Sequence, residues 1–167
     1  MKKISAIITV LLCIVYFSAC EKDDICVDGD TPLLVVGFYD ITDTSETKEV
    51  TGMQVRGLII GEDTLEVIEN AALDSIAIPL RPTENTTSFL ISQILSDPVD
   101  TLTNILTLTY QVQDKFVSRA CGFVANYNAL EATAARGSET DSLWIQDIDV
   151  LIPFVENSTE AHVKIFH

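Results

Sequence analysis

Apolar residues alternate with polar ones in short segments along most of the chain. The clearest case is Ile105 to Gln113, where four apolar residues share one face and threonine or glutamine takes the other (Leu106, Leu108, Tyr110 and Val112). A period of two is typical of a half-buried strand. We therefore predict a strand over this segment.

Eight further segments have the apolar, β-branched character of strands. They are Leu33–Tyr39, Met53–Ile60, Thr64–Ile68, Ile76–Leu80, Ser88–Leu95, Phe116–Val124, Leu143–Phe154 and Ala161–Phe166. Eight or nine short strands at close spacing predict an all-β fold, an antiparallel β-sandwich. Pro79 and Pro82 restrict their own strand to a sheet edge or to its last residues, because proline cannot donate to a ladder.

Three local features refine this prediction. Asp114-Lys115 is predicted to be the tight turn of a hairpin between Ile105–Gln113 and Phe116–Val124. Gly57, close to the doubled isoleucine at 59 and 60, indicates a bulge or a close backbone approach. Ala129–Arg136 is the one helix-prone segment, ended by Gly137, although it is too short to be stable alone.

The first twenty residues have the layout of an export signal. Lys2 and Lys3 precede the apolar stretch Ile4–Phe17, and small residues then lead to Cys20. The alternative is a transmembrane anchor, which needs about 20 apolar residues. This stretch is shorter and runs into Glu21-Lys22-Asp23-Asp24, so a cleaved signal is favoured.

Phe17-Ser18-Ala19-Cys20 resembles the lipobox of bacterial lipoproteins, with Phe17 in the place of the usual leucine. The resemblance implies that the Cys20 thiol receives a lipid and becomes the first residue of the mature protein; the alternative is ordinary cleavage that leaves a plain cysteine. The predicted organisation is then a signal peptide, a lipidated tether and one β-sandwich domain (residues 1–19, 20–32 and 33–167).

Residues 21–24 resemble the acidic tag of surface lipoproteins in the phylum Bacteroidota. The alternative interpretation is a polar tether. We therefore expect an outer-membrane location, on the cell surface or on the periplasmic face.

The charge of the chain excludes one class of partner. The predicted signal holds two of the ten basic residues and none of the 25 acidic ones, so residues 20–167 carry eight basic residues and a formal net charge of −17. Nucleic-acid affinity depends on basic side chains that neutralise phosphates, so no nucleic-acid partner is expected. The expected partners are the membrane, through the lipid anchor, and an envelope protein or a glycan.

Four cysteines are present, at positions 13, 20, 26 and 121. Cys13 leaves with the signal and Cys20 is used for the lipid, so Cys26 and Cys121 remain. Because an exported chain meets an oxidising compartment, we predict a disulfide between them. The alternative is two free thiols, with Cys121 packed as a small core residue.

The sequence contains no recognisable catalytic motif. His162 and His167 are the only histidines, and no Gly-x-Ser-x-Gly sequence is present. Since His162 alternates with Val163 and Ile165, it is predicted to be a solvent-facing strand residue rather than a base. We therefore assign no catalytic residue.

No metal site or cofactor is predicted either. Asp28 and Asp30, or Asp147 and Asp149, could offer oxygen ligands to calcium, but the EF-hand pattern is absent. Exposure of Asp147 and Asp149 on one strand face is favoured. Four aromatic residues could stack on sugars, but we expect them in the core. They are Tyr39, Tyr110, Tyr127 and Trp144.

An Asp-Ser/Thr-apolar triplet occurs four times, each just before a predicted strand. Such residues cap turns; the triplet also resembles the O-glycosylation acceptor of Bacteroidota. The candidate acceptors are Thr64, Ser75, Thr101 and Ser142.

Three sequence segments together resemble a family of Bacteroidota lipoproteins that carries only a domain-of-unknown-function label. They are Cys20–Cys26, Phe116–Phe123 and Ala161–Phe166. The resemblance implies no activity. We expect a lipid-anchored, non-catalytic binding or structural module, and the alternative is a small envelope hydrolase that uses carboxylates or a calcium site.

Overall fold

The computed structural model describes residue 26 and residues 29–58, 65–95, 101–140 and 142–167. The predicted signal and Cys20 lie outside these residues. Within them the chain forms nine strands and no helix, as the all-β prediction requires. The strands are β1 Leu34–Tyr39, β2 Val50–Leu58, β3 Leu65–Leu73, β4 Ser75–Ile78, β5 Thr86–Ile94, β6 Thr101–Ser118, β7 Gly122–Arg136, β8 Asp147–Val150 and β9 Val163–Phe166.

The strands form two sheets that pack together as a sandwich. The smaller sheet has the order β4-β1-β9-β8, and the larger has the order β3-β2-β5-β6-β7. All neighbours pair antiparallel except β1 and β9, which are parallel. Because β4 lies at an edge, the restriction that Pro79 and Pro82 impose on this strand is satisfied.

One hydrophobic core lies between the two sheets. Alternating side chains from both sheets enter it, among them Val36 and Phe38 of β1 and Leu106 and Leu108 of β6. The predicted apolar face of β6 is therefore confirmed, with Val112 only partly buried. Two tyrosines, Tyr110 and Tyr127, are among the largest fully buried side chains.

The β6–β7 hairpin is longer than predicted, and its turn lies elsewhere. The Asp114-Lys115 turn is wrong, because these residues continue β6 and pair with Ala125 and Val124. The chain turns instead over residues 119–121. Gly122 follows with a φ of 71°, a conformation that glycine adopts without strain, so the predicted strand Phe116–Val124 is split in two.

The helix-prone segment Ala129–Arg136 belongs to β7. Six of its residues pair with residues 104–109 of β6. Local helix propensity is a weak preference that tertiary pairing overrides. Ala129 itself has a φ of 51° and lies at a register shift of the ladder, so it forms a bulge.

Only part of Leu143–Phe154 is a strand. β8 covers four residues, and the preceding backbone is held out of the sheet by hydrogen bonds from Trp144 and Ile145 to the Oδ1 atom of Asn104. After β8 the chain crosses to the larger sheet, where the amide of Val155 donates to the carbonyl of Tyr127 over 2.7 Å. These contacts cover part of the edge of β7.

The irregularity predicted near Gly57 lies earlier in β2. Gly57 pairs in regular register with Phe89, while the register with β3 shifts between Val50 and Arg56. Gly52 has a φ of 63°, and a Cβ atom there would lie 2.8 Å from the carbonyl oxygen of Ile94. The close backbone approach in β2 therefore occurs at Gly52.

Candidate functional site

The predicted disulfide joins Cys26 to Cys121 across 95 residues, with Cα atoms 4.9 Å apart. Cys121 is the last residue of the β6–β7 turn, so the bond attaches the amino-terminal segment to the end of this hairpin. Gly29 lies against both cysteines: a Cβ atom at this position would overlap the Sγ atom of Cys26 and lie 3.0 Å from that of Cys121. The absence of a side chain at Gly29 is therefore part of this junction.

We call residues Lys115–Phe123 the hairpin tip. Phe116 and Phe123 are opposite each other in the ladder, with ring centroids 5.3 Å apart. They are 57% and 68% exposed, more than any other large apolar side chain in the described part of the chain. The sandwich thus ends in a pair of phenyl rings that no described residue covers.

The hairpin tip is also positively charged. Lys115 and Arg119 are exposed, and no acidic residue occurs between Lys115 and Phe123. In the described ranges, neither cation forms a salt bridge. A chain with 25 acidic residues therefore has a local cationic and aromatic patch.

A groove of about 290 Å³ lies beside the tip. It runs between Asp30 and Pro32 of the amino-terminal segment, Lys115 and Phe116 of the tip, and Glu156. The carboxylates of Asp30 and Glu156 line this groove beside the cationic tip, and Asp114 directly precedes Lys115 in β6.

The prediction that His162 faces solvent is wrong. Its side chain is 1% exposed, and its Nδ1 atom accepts a hydrogen bond from the amide of Val35 over 3.2 Å. The strand alternation did not apply because β9 begins only at Val163. Burial lowers the pKa of His162, against the opposing charge of Glu160.

His167 is also held by packing. Its ring meets Phe38 and Trp144 edge to face, with centroids 6.3 and 5.6 Å away. The Nε2 atom lies 3.2 Å from the carbonyl oxygen of Lys48, and burial lowers the pKa of this imidazole as well. Both histidines thus make structural contacts.

Three of the four candidate calcium ligands lie in the described residues. Asp147 and Asp149 lie on the exposed face of β8, as predicted, and Asp30 is exposed at the groove. Asp28 lies outside the described residues. Among the residues that can be described, no three His, Cys, Asp or Glu side chains form a cluster suited to a metal ion.

Three of the four aromatic residues considered for sugar stacking are buried. The hydroxyl of Tyr127 donates to the carbonyl of Leu80, and that of Tyr110 donates to the carbonyl of Arg81, so the pair fixes the segment after β4. Burial raises the pKa of Tyr127 to about 12. Tyr39 is the exception: it is half-buried and lies beneath the ammonium of Lys164, 4.1 Å from the ring centroid.

The glycosylation candidates are dispersed. Ser75 is the first residue of β4 and Thr101 is the first of β6. Ser142 is exposed in the loop before β8, and Thr64 lies outside the described residues. Whether any of them is glycosylated stays a prediction.

The sequence interpretation missed the hairpin tip. With the turn assigned to Asp114-Lys115, Phe116 and Phe123 fell in one strand, and their pairing could not be recognised. The available signal was a nine-residue segment with two cations and no acidic residue, which contains Cys121-Gly122 as a turn.

The model of a family of unknown function (DUF6452) matches residues 47–167. The chain belongs to this family. The matched region contains the hairpin tip and Cys121, and it begins after β1. No curated protein and no solved structure matches the chain. In the described part, no helix is long and apolar enough to cross a membrane.

Proposed function

We propose that this protein is a Bacteroidota lipoprotein, anchored by Cys20 to the outer membrane, that acts as a non-catalytic binding or structural module. The observation that supports export most directly is the disulfide between Cys26 and Cys121. Such bonds persist in the periplasm and at the cell surface but rarely in a reducing cytosol. Export is also supported by the two lysines, the apolar stretch and the small residues that precede Cys20.

A binding role is supported by the use of both imidazoles in packing. His162 accepts a hydrogen bond from Val35, and His167 packs on Trp144. A general base must reach the proton that it abstracts, whereas His162 is enclosed in the fold. The expected partner is an envelope protein or a glycan.

Lipid attachment is tested with the full chain expressed in a Gram-negative host. We expect the parent to enter the detergent phase, to lack residues 1–19 and to carry a lipid mass on Cys20. Cys20→Ala should keep the signal and lose the lipid mass, whereas Cys13→Ala should behave as the parent because Cys13 leaves with the signal. If Cys20→Ala carries the same lipid mass as the parent, the anchor proposal is wrong.

The non-catalytic role is tested through β8. Asp147→Asn combined with Asp149→Asn should leave the envelope phenotype of the parent gene intact, since both side chains are exposed. The matched control replaces two exposed carboxylates elsewhere, Glu131 and Glu139. Circular dichroism checks that each variant keeps its fold. If only the β8 variant then loses the phenotype, the alternative is favoured, a hydrolase that uses carboxylates or a calcium site.

A further inference from the structure

The backbone of the hairpin tip is cross-linked by ladder pairing, a side-chain hydrogen bond and the disulfide. Phe116 and Phe123 occupy facing ladder positions, and the amide of Cys121 donates to the Oγ atom of Ser118 over 3.1 Å. The disulfide to Cys26 closes the turn from outside. Since the backbone that carries the two rings is cross-linked before any contact is made, binding through this turn costs less conformational entropy than binding through an unconstrained loop.

The chemistry of the tip matches a lipid surface. Phenylalanine is among the side chains that interfacial helices bury at the boundary of headgroups and acyl chains. Basic side chains near an anionic surface each contribute an attraction that falls off within a Debye length. Lys115 and Arg119 supply this charge without an acidic residue between them. The acidic remainder of the chain would be repelled by the same surface.

The position of the tip relative to the predicted anchor also favours a lipid surface as its partner. Cys20 precedes Cys26 by six residues, which can span at most about 20 Å. Because the Cα atom of Cys26 lies 4.9 Å from that of Cys121 in the turn, a lipid on Cys20 would keep Cys121 within about 25 Å of the membrane. This step rests on the proposed lipid anchor.

We propose that the hairpin tip is a second membrane contact. Phe116 and Phe123 insert at the headgroup boundary of the membrane that holds the anchor, and Lys115 and Arg119 lie at phospholipid phosphates. Asp30 and Glu156, which line the adjacent groove, limit the depth of this contact. The protein is thereby held by two points and keeps a fixed orientation on the membrane.

The test measures the depth of a tryptophan at the tip. The full chain carrying Phe123→Trp is reconstituted in vesicles of phosphatidylcholine and phosphatidylglycerol with brominated or plain acyl chains. The control is Leu143→Trp, which is 41% exposed in the parent leucine. Asn104 binds the carbonyl of Ser142, so position 143 lies beside the far end of β6, about 45 Å along the strand from Ser118.

After subtraction of the signal of Trp144, we expect bromine quenching at position 123 to be several times greater than at position 143. Replacing both Lys115 and Arg119 by glutamine should reduce the quenching at 123. Equal quenching at the two positions overturns the proposal even if the protein remains bound to the vesicles, because the lipid anchor alone then holds it.

Two further outcomes are decisive. The first is a shift in the tryptophan fluorescence of Phe123→Trp that occurs without vesicles and depends on protein concentration. It would show that the tip binds a second copy of the chain, and it would overturn the proposal. If mass spectrometry finds no lipid on Cys20, the protein is added to preformed vesicles instead. Quenching at 123 then supports the membrane contact independently of the anchor, and its absence overturns it.

Discussion

The Nδ1 atom of His162 lies 3.2 Å from the backbone nitrogen of Val35. An amide hydrogen directed at this atom requires Nδ1 to be unprotonated, so the ring proton is on Nε2. In return, the amide of His162 donates to the carbonyl of Val35 over 2.9 Å. These two bonds extend the pairing of β1 with β9 by one residue before β9 begins, and the imidazole accepts its bond only in the neutral form.

We predict that stability falls as the pH decreases from 7.5 to 5. The pKa of His162 is below its ordinary 6.5 because of burial, and so is that of His167. As the pH falls through about 6.5, the unfolded chain binds protons that the folded chain does not. The free energy of unfolding should therefore decrease, by at most about 1.4 kcal/mol per pH unit for each histidine, in urea titrations.

The matched variant is His162→Asn, whose side-chain oxygen can accept the Val35 hydrogen bond but does not titrate. Its unfolding free energy should depend less steeply on pH over the same window. Asp40 and Asp43 do not interfere, because hydrogen bonds from Thr42 and Ser45 lower the pKa of these carboxylates below 3.8. An unchanged slope in the variant would show that His162 is not linked to folding.

Asn104 is the second buried polar side chain on which the fold depends. It is fully buried, its Nδ2 donates to the carbonyl of Ser142, and its Oδ1 accepts from two amides. Asn104→Ala leaves the two buried amides of Trp144 and Ile145 unsatisfied, at a cost of about 1–3 kcal/mol each. We expect the free energy of unfolding to fall by about 2 kcal/mol or more in chemical denaturation.

Thr103→Val is the control for Asn104, since its half-buried hydroxyl makes one side-chain bond, to Ser92 over 2.9 Å. It should cost about 1 kcal/mol or less. Similar losses in the two variants would mean that Asn104 does not hold the segment before β8.

The all-β architecture could be predicted because the alternation of apolar and polar residues is visible within each single strand segment. Leu106 and Leu108 on β6, and Ile76 and Ile78 on β4, show a period of two in the sequence and face the core. Each strand needs only its own residues to show this pattern. The pairing order of the two sheets, by contrast, depends on contacts between distant strands, and the parallel pair β1 and β9 is joined by no local signal.

The errors arose where distant contacts override local preference. Asp114 and Lys115 are favourable turn residues, yet each gains a strand partner when the hairpin extends to Ser118. Ala129–Arg136 favours a helix by composition, but six of its eight residues pair with β6. His162 follows the alternation of β9 in sequence, although it lies one residue before the strand.

The candidate site was partly accessible from the sequence. The pairing of Cys26 with Cys121 followed from elimination and is present in the structure. The exposure of Phe116 and Phe123 did not follow, because an aromatic residue in a strand is more often buried than exposed. Only the true position of the turn reveals that both rings lie beyond the edge of the core.

Ala129 provides a prediction of increased stability. Its φ of 51° lies in the left-handed region, which costs an L-residue about 1 kcal/mol, while glycine adopts it freely. The strain is relieved in Ala129→Gly. We expect an increase of up to about 1 kcal/mol in the free energy of unfolding, measured by urea denaturation.

Ala135→Gly is the control in the same strand. Ala135 pairs in regular register with Ile105, and glycine within a strand is destabilising by about 0.5–1 kcal/mol. The two substitutions should therefore change stability in opposite directions. A loss of stability in both would mean that the left-handed conformation at 129 is not a source of strain.

The last prediction concerns the disulfide. Cys121→Ser should lower the free energy of unfolding, because the bond closes a loop of 95 residues and such a loop is worth about 4–5 kcal/mol in the chain-entropy model. The described amides between Cys26 and Thr31 should also exchange their hydrogens faster. Leu33 should not, since its amide donates to the Oγ atom of Ser158 over 2.8 Å without help from the bond.

Cys26→Ser and reduction of the parent provide the controls, because each removes the same bond without touching the turn. All three should show the same stability loss, and both variants should stay attached to the membrane through Cys20. Mass spectrometry of the unreduced parent decides the premise. Alkylation of Cys26 and Cys121 without reductant would show that the bond is absent. A loss of stability in Cys121→Ser alone would instead show that packing of the turn, and not the bond, is responsible.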